Sequence, residues 1–380
     1  MTAFASALSQ HPISSQAVGE TAGQILERLD GQGCDLLVCF ASAHHVGSFE
    51  DIGPALHNIL EPRVLIGGTA VAVVGGSHEI EEQPALTLFA ARLEDATLTP
   101  VTLRLQETPD GAALTGWPPI DRAPASLLLF ADPFTFPVDA FLQRVNRDLP
   151  GLQIIGGLAS AAGGAGGNRL VLDDHVVDEG AVGVFVGGGI EVRTLVSQGC
   201  RPIGHPYVVT RAQQNLIEEL AGKPAIERLQ ELAGAASEEE RELLRRGLHM
   251  GLVVDEHKAE FGRGDFLVRN LLGADQGSGA LAVGERVSVG QTVQFHVRDA
   301  AAADEDLREM LSGVDADAAL LFTCNGRGRQ LFTVPDHDAG MVEKLLGPIP
   351  LAGAFCAGEI GPVGGRNFLH GFTASLALFA

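Results

Sequence analysis

Three stretches of this chain share one order of elements: an apolar strand, a helix, and a second strand that ends in small residues. They run from Leu36 to Ala70, from Leu127 to Ser160 and from Leu320 to Pro362. About 28 residues separate the end of each first strand from the small-residue turn, which is the length of a strand–helix–strand unit. Pro137 opens the second helix, whose apolar residues recur at helical spacing. The repeat predicts α/β architecture with parallel strand pairs.

A second pattern follows each small-residue turn. In this pattern a central residue lies three positions after one apolar residue and five positions before another. The loops between the strands that follow each turn are too short for a crossover helix, so these strands are predicted to form antiparallel hairpins. The pattern recurs around Gly180, Gly371, Gly290 and Gln83. Around Gly290 it suggests a fourth copy, with a strand at 248–254, a turn at 272–273 and a hairpin at 280–297. We therefore expect repeated βα-β-hairpin units that form two pseudo-similar mixed-sheet halves flanked by helices.

Charge and composition exclude several classes of protein. The net charge is −22, which opposes binding to nucleic acid or to anionic lipid. The apolar stretches are shorter than the roughly 20 residues of a membrane span, and the N-terminus lacks the pattern of a secretory signal. The five cysteines are odd in number and scattered, which favours a reducing compartment. We expect a cytoplasmic protein that binds neither nucleic acid nor membrane.

The segment 211–249 lies outside the three repeats and reads as helical. Arg211–Ala221 has apolar residues at helical spacing, Gly222 would end that helix and Pro224 would begin another. A capping box at Ser237 and Glu240 predicts a further helix. We expect the residues up to Ser15 to be loose. The predicted organisation is an N-terminal segment with the first helix at 1–30, one domain at 31–219 and a second at 220–380.

The sequence contains no phosphate loop, nucleophile elbow or zinc motif. Three other clusters of polar residues, cysteines and glycines are candidates for a functional site. They are Cys324–Gly328, Cys356–Pro362 and Ser197–Gly204. The first follows a strand directly, and the crevice at the carboxyl end of parallel strands is where open α/β sheets bind ligands. Each cluster also has a purely structural interpretation: a tight turn with a solvated arginine, a buried turn of small residues, and a bulged hairpin.

The roles that we assign follow from the chemistry of each side chain. Arg327, with Arg269, would bind a ligand carboxylate through forked hydrogen bonds, and Arg201 would contact an anion. Glu359 would accept from a ligand amine or pair with Arg327, and Cys324 and Cys356 would form the pocket wall. No histidine spacing predicts a metal site.

Together these motifs resemble the FIST family, which has an N-terminal and a C-terminal FIST domain. The resemblance rests on SQGCRPIGHPYVVT (197–210), NLIEELAGKPAIERL (215–229), FLVRNLLGAD (266–275), CNGRG (324–328) and FCAGEIGPVGGRNFLHGFTAS (355–375). Membership implies a cytoplasmic sensory module that binds a small ligand, with amino acids suggested as ligands. Sensory members are often fused to output domains, for which this chain has no room, so we expect the signal to pass to a separate protein.

We therefore expect a binding module without catalysis, and three alternatives stay open. Some members are described as haem-binding nitric-oxide sensors that act on histidine kinases, for which His205, His175 or His296 would be the axial ligand. The acidic chain would also suit an interaction scaffold. Finally, Cys324 or Cys356 beside a histidine would form a thiol enzyme.

Overall fold

The computed structural model describes residues 2–108, 111–119 and 126–380. The chain forms two compact units, the first from Met1–Val196 with Leu307–Ala380 and the second from Ser197–Asp306. No helix in the described ranges is both long and apolar enough to span a bilayer.

The elements follow one another along the chain in three stretches. The stretch that precedes the second unit contains β1 (Ala3–Ser9), α1 (Ser14–Arg28), β2 (Leu36–Ser42), α2 (Phe49–Leu60), β3 (Val64–Ala70), β4 (Ala72–Gly75), β5 (His78–Glu81), β6 (Leu86–Arg92), β7 (Ala96–Thr108), β8 (Gly111–Thr115), β9 (Ser126–Ala131), α3 (Val138–Asp148), β10 (Gln153–Leu158), β11 (Leu170–Leu172), β12 (His175–Val177), β13 (Ala181–Gly188) and β14 (Val192–Gln198). The next stretch contains β15 (Cys200–Gln213), β16 (Leu216–Leu220), β17 (Lys223–Pro224), α4 (Ala225–Ala235), α5 (Glu238–Arg246), β18 (Leu248–Val253), β19 (Phe266–Asp275), β20 (Ala280–Val283), β21 (Thr292–Arg298) and α6 (Ala300–Leu311). The last stretch contains β22 (Ala318–Cys324), α7 (Arg329–Phe332), α8 (His337–Leu346), β23 (Leu351–Cys356), β24 (Glu359–Val363), β25 (Arg366–His370) and β26 (Thr373–Phe379).

The first unit contains the three predicted repeats, which we call copies one, two and three. Their parallel pairs are β2–β3, β9–β10 and β22–β23, each joined through a helix. Each copy then adds an antiparallel strand beside its first parallel strand, namely β6, β13 and β26. The α/β class and the repeated units in mixed sheets are confirmed. The grouping is different from the expected two halves, because all three copies lie in one unit.

The copies exchange their hairpins. The hairpin β4–β5 of copy one pairs with β23 of copy three, the hairpin β11–β12 of copy two pairs with β3 of copy one, and the hairpin β24–β25 of copy three pairs with β10 of copy two. The strand order is therefore the same around all three parallel pairs. This exchange makes each copy depend on another for one edge of its sheet.

The three copies share one hydrophobic cluster at the centre of the unit, and each copy has a second cluster of its own at the periphery. Phe40, Phe130 and Phe322 occupy equivalent strand positions and meet, with ring centroids 5.1 and 5.9 Å from Phe40. They belong to one buried cluster that draws on all three copies, whereas the outer face of each copy packs under its own helices. Because apolar residues occupy both faces of the strands, the strands read as continuous apolar runs.

The second unit is antiparallel. Its strands follow the order β15-β21-β18-β19-β20-β16, and an additional pairing between β15 and β16 closes the ring. The predicted fourth copy is wrong, because β18 pairs directly with β19 in an antiparallel ladder. Residues 272–273 lie inside β19 at a register shift and do not form a turn between two strands. The pattern around Gly290 was therefore an accident of hairpin spacing.

Two further predictions are also wrong. Residues 211–221 are not helical: they form the end of β15 and then β16, separated by Gln214 in the left-handed region, at φ 55°. Ring closure determines this conformation, because tertiary pairing overrides a modest helix propensity. The N-terminus is not loose either, since β1 pairs with β6 along seven residues. The helix after Pro224 and the capping box of Ser237 and Glu240 are confirmed.

Candidate functional site

Four of the predicted site residues lie around the carboxyl ends of β22 and β23 in copy three. Cys324 and Cys356 are the last residues of these strands and pair in register. Arg327 follows in the next turn, and Glu359 begins the strand β24. All four side chains are buried. The sequence thus identified one real cluster at this sheet edge, which we call the copy-three site.

Arg327 is engaged within the chain. Its Nε and Nη2 each donate a hydrogen bond of 2.7 Å to the carboxylate of Asp338, and both residues are almost fully buried. Its Nη1 reaches the carbonyl oxygen of Phe372 at 3.5 Å. Burial opposes the ionisation of Asp338, but the guanidinium outweighs that cost and holds the pKa of this carboxyl well below its usual value. The forked donor face that we predicted for a ligand carboxylate is therefore occupied by Asp338.

The last residue of α7 covers the guanidinium. The Phe332 ring lies over it, with 5.1 Å between Cζ and the ring centroid. Thr333 and Asp336, in the loop between α7 and α8, have φ values of 61° and 59°. A β-branched residue at positive φ is strained, and such strain often marks functional segments.

Glu359 has one satisfied and one unsatisfied oxygen. Its Oε2 accepts from the backbone N–H of Thr373 at 3.1 Å and from the hydroxyl of the same residue at 2.8 Å. Its buried Oε1 accepts no hydrogen bond from a nitrogen or oxygen donor among the residues that the structure describes. Burial raises the pKa of Glu359 to about 8, while Thr373, Arg327 and the Cys324 thiol lower it.

The strand register shows what stands at the position of Glu359 in the other copies. Glu359 pairs with Gly157, Val73 with Ala354, and Leu170 with Gly68. These three pairs are equivalent, and all three side chains are fully buried. Copy three alone therefore places a carboxyl where copies one and two place apolar side chains.

A similar contrast holds at the position of Arg327. Arg327 stands six residues after Leu321, and the counterparts after Cys39 and Leu129 are His45 and Thr135. Copy three also has the short helix α7 before α8, and the first buried residue of α8 is Asp338. A charged residue buried at a position that this fold fills without charge is costly unless it is paired or functional. Copy two also buries a carboxyl, that of Asp132, which accepts hydrogen bonds from Thr135 and Asn168. Copy three differs because it buries an arginine together with carboxyl groups, and we therefore take it as the candidate site.

Sequence reasoning missed Glu79, which copy one contributes on β5. Its Oε1 accepts from the backbone N–H groups of Asp338 and Ala339 at 2.8 and 2.9 Å. Burial and the neighbouring Asp338 raise its pKa to about 8. No pattern along the chain links residue 79 with residue 338, and in the short polar strand His78–Glu81 nothing distinguishes Glu79 from an exposed residue.

The thiols of the site are poor nucleophiles. Burial and then the nearby Glu359 raise the pKa of both Cys324 and Cys356 well above the usual value. Within the described ranges, no group of three or more His, Cys, Asp or Glu residues is arranged to hold a metal ion. The arrangement is thus suited to hydrogen bonding and charge recognition.

The other two predicted arginines lie in the second unit, where each forms an ion pair. Arg201 Nε is 2.6 Å from Asp299 Oδ2, and Arg269 Nε is 2.5 Å from Glu285 Oε2. Both arginines belong to the second unit, and their roles in ligand binding stay predictions.

The three histidines considered for haem differ in exposure. His175 and His205 are exposed. His296 is buried, and a methyl group added at Gly251 would lie 2.3 Å from its Cε1. An axial ligand needs an enclosed apolar pocket with room for the porphyrin beside it. The haem alternative has no structural support at these three residues.

The fold and the site define a repeat-built α/β protein whose third copy buries an arginine together with carboxyl groups. The chain belongs to the FIST family: the FIST N domain model matches residues 35–223 and the FIST C domain model matches residues 225–362. Domains of this family are generally regarded as sensory domains of signal transduction that bind small ligands. The junction of the two matches falls inside the second compact unit, so the division at residue 219 stays a prediction.

The curated relatives match nearly the whole chain. An uncharacterised protein of Mycobacterium bovis is 47% identical over 379 residues, which cover 97% of this chain and 96% of the relative. An uncharacterised protein of Mycobacterium tuberculosis is also 47% identical over 379 residues, covering 98% of both chains. The similarity therefore includes both units.

Proposed function

We propose that this protein is a cytoplasmic sensor that binds a small polar ligand at the copy-three site, without catalysis, and signals to a separate protein. The family supports the sensory role. The observation that carries the proposal is the buried Oε1 of Glu359, which has no nitrogen or oxygen donor within the described part of the chain. The hydrogen-bonding side chain beside this carboxyl, apart from Thr373, is the thiol of Cys324, and a thiol is a weak donor. A ligand N–H or O–H at Oε1 would therefore recover free energy.

The ligand group that fits Glu359 best is an amine. Asp338 accepts hydrogen bonds from two of the Arg327 donors, so the positive charge of the guanidinium offsets the negative charge of an ionised Glu359 only in part. A ligand ammonium at Oε1 would give the ionised carboxyl a partner of opposite charge. An amino acid or a similar small amine meets this requirement. Its carboxylate would have only Nη1 of Arg327 or backbone N–H groups as partners, because Asp338 holds the fork.

The absence of catalysis is proposed from the state of the thiols. A nucleophilic cysteine needs a lowered pKa, usually from a cation or a helix N-terminus. Burial and the carboxyl of Glu359 act in the opposite direction on Cys324 and Cys356. We therefore assign both thiols to the pocket wall.

The output surface that we propose is α5 in the second unit. None of its residues is buried, and its last turn carries Arg245 and Arg246, which pair with Glu242. A partner protein with charges complementary to those of this helix could therefore reach it. If residues 238–246 are deleted, we expect the protein to retain ligand binding and to lose partner binding.

A thermal-shift screen of amino acids, simple amines and simple carboxylic acids tests the ligand proposal. A ligand that binds only the folded state raises the melting temperature with its concentration. We expect amines to stabilise the protein and carboxylic acids without an amine to leave it unchanged. Glu359→Gln should abolish the shift, whereas Glu50→Gln, the same change at an exposed position of copy one, should retain it. A screen without any shift, or a shift that survives in Glu359→Gln, would overturn the proposal.

A further inference from the structure

Glu79 connects two copies at one point of the first unit. It lies on β5, in the hairpin that copy one gives to copy three, where Val74 is its partner on β4. Its Oε1 accepts from two backbone N–H groups in the first turn of α8. Its own backbone N–H donates to Asp336 Oδ1 at 2.6 Å. Both the backbone and the side chain of Glu79 therefore hold the start of α8.

The equivalent hairpin positions carry no such group. Register places Val176 and Leu369 at the positions of Glu79 in the hairpins of copies two and three. The fold accepts an apolar side chain there, so a carboxyl is not needed to build the hairpin. A carboxyl also leaves Oε2 buried without a partner among the described residues, which has a cost. A role beyond packing would explain why this cost is retained.

That role follows from what the same turn of α8 carries. Asp338 donates its backbone N–H to Glu79 and at the same time accepts two hydrogen bonds from Arg327 and one from Thr323 Oγ1. Any displacement of the first turn of α8 therefore displaces the carboxylate that orients Arg327. A side chain that fixes this turn fixes the geometry of the site.

We propose that Glu79 is the positioning residue of the copy-three site: through the first turn of α8 it fixes Asp338, and through Asp338 it fixes Arg327. The hairpin β4–β5 thereby couples copy one to the site. The consequence for ligand binding rests on the proposed function, but the positioning does not. The raised pKa of Glu79 agrees with this arrangement, since a neutral carboxyl carries its proton on Oε2 and keeps Oε1 as an acceptor.

The experiment measures the exchange of the Arg327 Nε–H proton with solvent by NMR of protein with ¹⁵N-labelled arginine. The signal is assigned with Arg327→Lys. Glu79→Leu retains the bulk of the side chain and removes the acceptor, and we expect exchange at least about tenfold faster, because two hydrogen bonds that hold α8 are lost. Glu79→Gln keeps an acceptor oxygen and should restore slow exchange. Glu50→Leu is the matched control, because Glu50 is exposed on α2 of copy one and its carboxyl contacts Arg169 and not α8.

Two readouts separate positioning from general destabilisation. The backbone N–H groups of Asp338 and Ala339 should lose protection in Glu79→Leu, while those of α3 in copy two keep theirs. If Glu79→Leu does not fold, Glu79→Asn takes its place, since its shorter side chain cannot reach both N–H groups. Unchanged exchange of Arg327 in the folded variant, or equal loss of protection across α3, overturns the proposal. No ligand enters the experiment, so this result is independent of the ligand screen.

Discussion

Arg327 and Asp338 form a forked ion pair in which two hydrogen bonds of 2.7 Å join side chains that are 0% and 1% exposed. Copies one and two have His45 and Thr135 at the position of Arg327. Well-packed residues of similar size often replace a buried ion pair without loss of stability, whereas the loss of one partner is costly. The pair therefore supports the proposed binding role of the copy-three site.

Breaking this pair on one side should be costly. Asp338→Asn leaves a buried guanidinium without its counter-charge, and we expect the free energy of unfolding to fall by about 3–5 kcal/mol. The double variant Arg327→Met with Asp338→Leu replaces both partners with apolar side chains of similar size and should recover much of that loss. Urea unfolding of the three proteins measures both effects. A double variant less stable than Asp338→Asn would contradict the prediction.

Two buried carboxyl groups should make the protein less stable as the pH rises from about 4.5 to about 8. In the folded protein the pKa of Glu79 and of Glu359 is raised from 4.5 to about 8, so the folded state binds protons that the unfolded chain releases. The contribution of each carboxyl is complete below pH 4.5 and is lost as the pH rises to about 8. Buried His249 and His296, with pKa values lowered from 6.5 to about 4, act in the opposite direction below pH 6.5.

The clean test therefore lies between pH 6.5 and pH 8.5. Urea unfolding should give a free energy that falls through this range, by up to about 1.4 kcal/mol per pH unit for each carboxyl. Glu359→Gln removes one titrating group and should flatten the slope. A slope that is the same in this variant would assign the pH dependence to other residues.

Ligand affinity should increase over the same pH range. Below pH 8 the Glu359 carboxyl is mostly protonated, and an ammonium group that binds its oxygen must displace that proton. We expect the affinity for an amine to rise by about tenfold per pH unit from pH 6.5 to pH 8, with one proton released per ligand. Calorimetry in buffers of different ionisation enthalpy counts the protons. Release of no proton would exclude Glu359 as the partner of the amine.

The repeated units could be predicted from the sequence, but the way in which they pair with one another could not. Apolar runs and small-residue turns act locally, so they revealed the strand–helix–strand units and the antiparallel hairpins. Which sheet a hairpin joins depends on contacts between copies, and β4 joins β23 almost 280 residues further along the chain. The prediction of a helix at 211–221 was wrong for a similar reason, because the pairing of β15 with β16 that closes the ring in the second unit determines the conformation of these residues.

The site was predictable to the same extent. Cys324, Arg327, Cys356 and Glu359 follow two neighbouring strands, and strand order alone brings them together. The partner of Arg327 could not be predicted, since Asp338 lies on a helix whose polar and apolar residues show no unusual spacing. Glu79 requires knowledge of the hairpin exchange. Arg269 and Arg201 were chosen by motif, and their ion pairs with Glu285 and Asp299 are not visible in the sequence.

The three-copy architecture predicts where glycine is indispensable. Gly67, Gly156 and Gly353 lie opposite the equivalent residues Cys39, Leu129 and Leu321, and a Cβ at any of them would stand 1.8–1.9 Å from the backbone oxygen of that partner. Gly353→Ala must therefore separate β22 from β23, at a cost of about 1–3 kcal/mol or more. Gly340 lies inside α8, and a methyl group added there would meet no atom of the described residues within 4 Å, so Gly340→Ala should stabilise the protein by about 0.5–1 kcal/mol. Thermal unfolding of the two variants should show opposite shifts, and equal shifts would mean that the strands accommodate the methyl group.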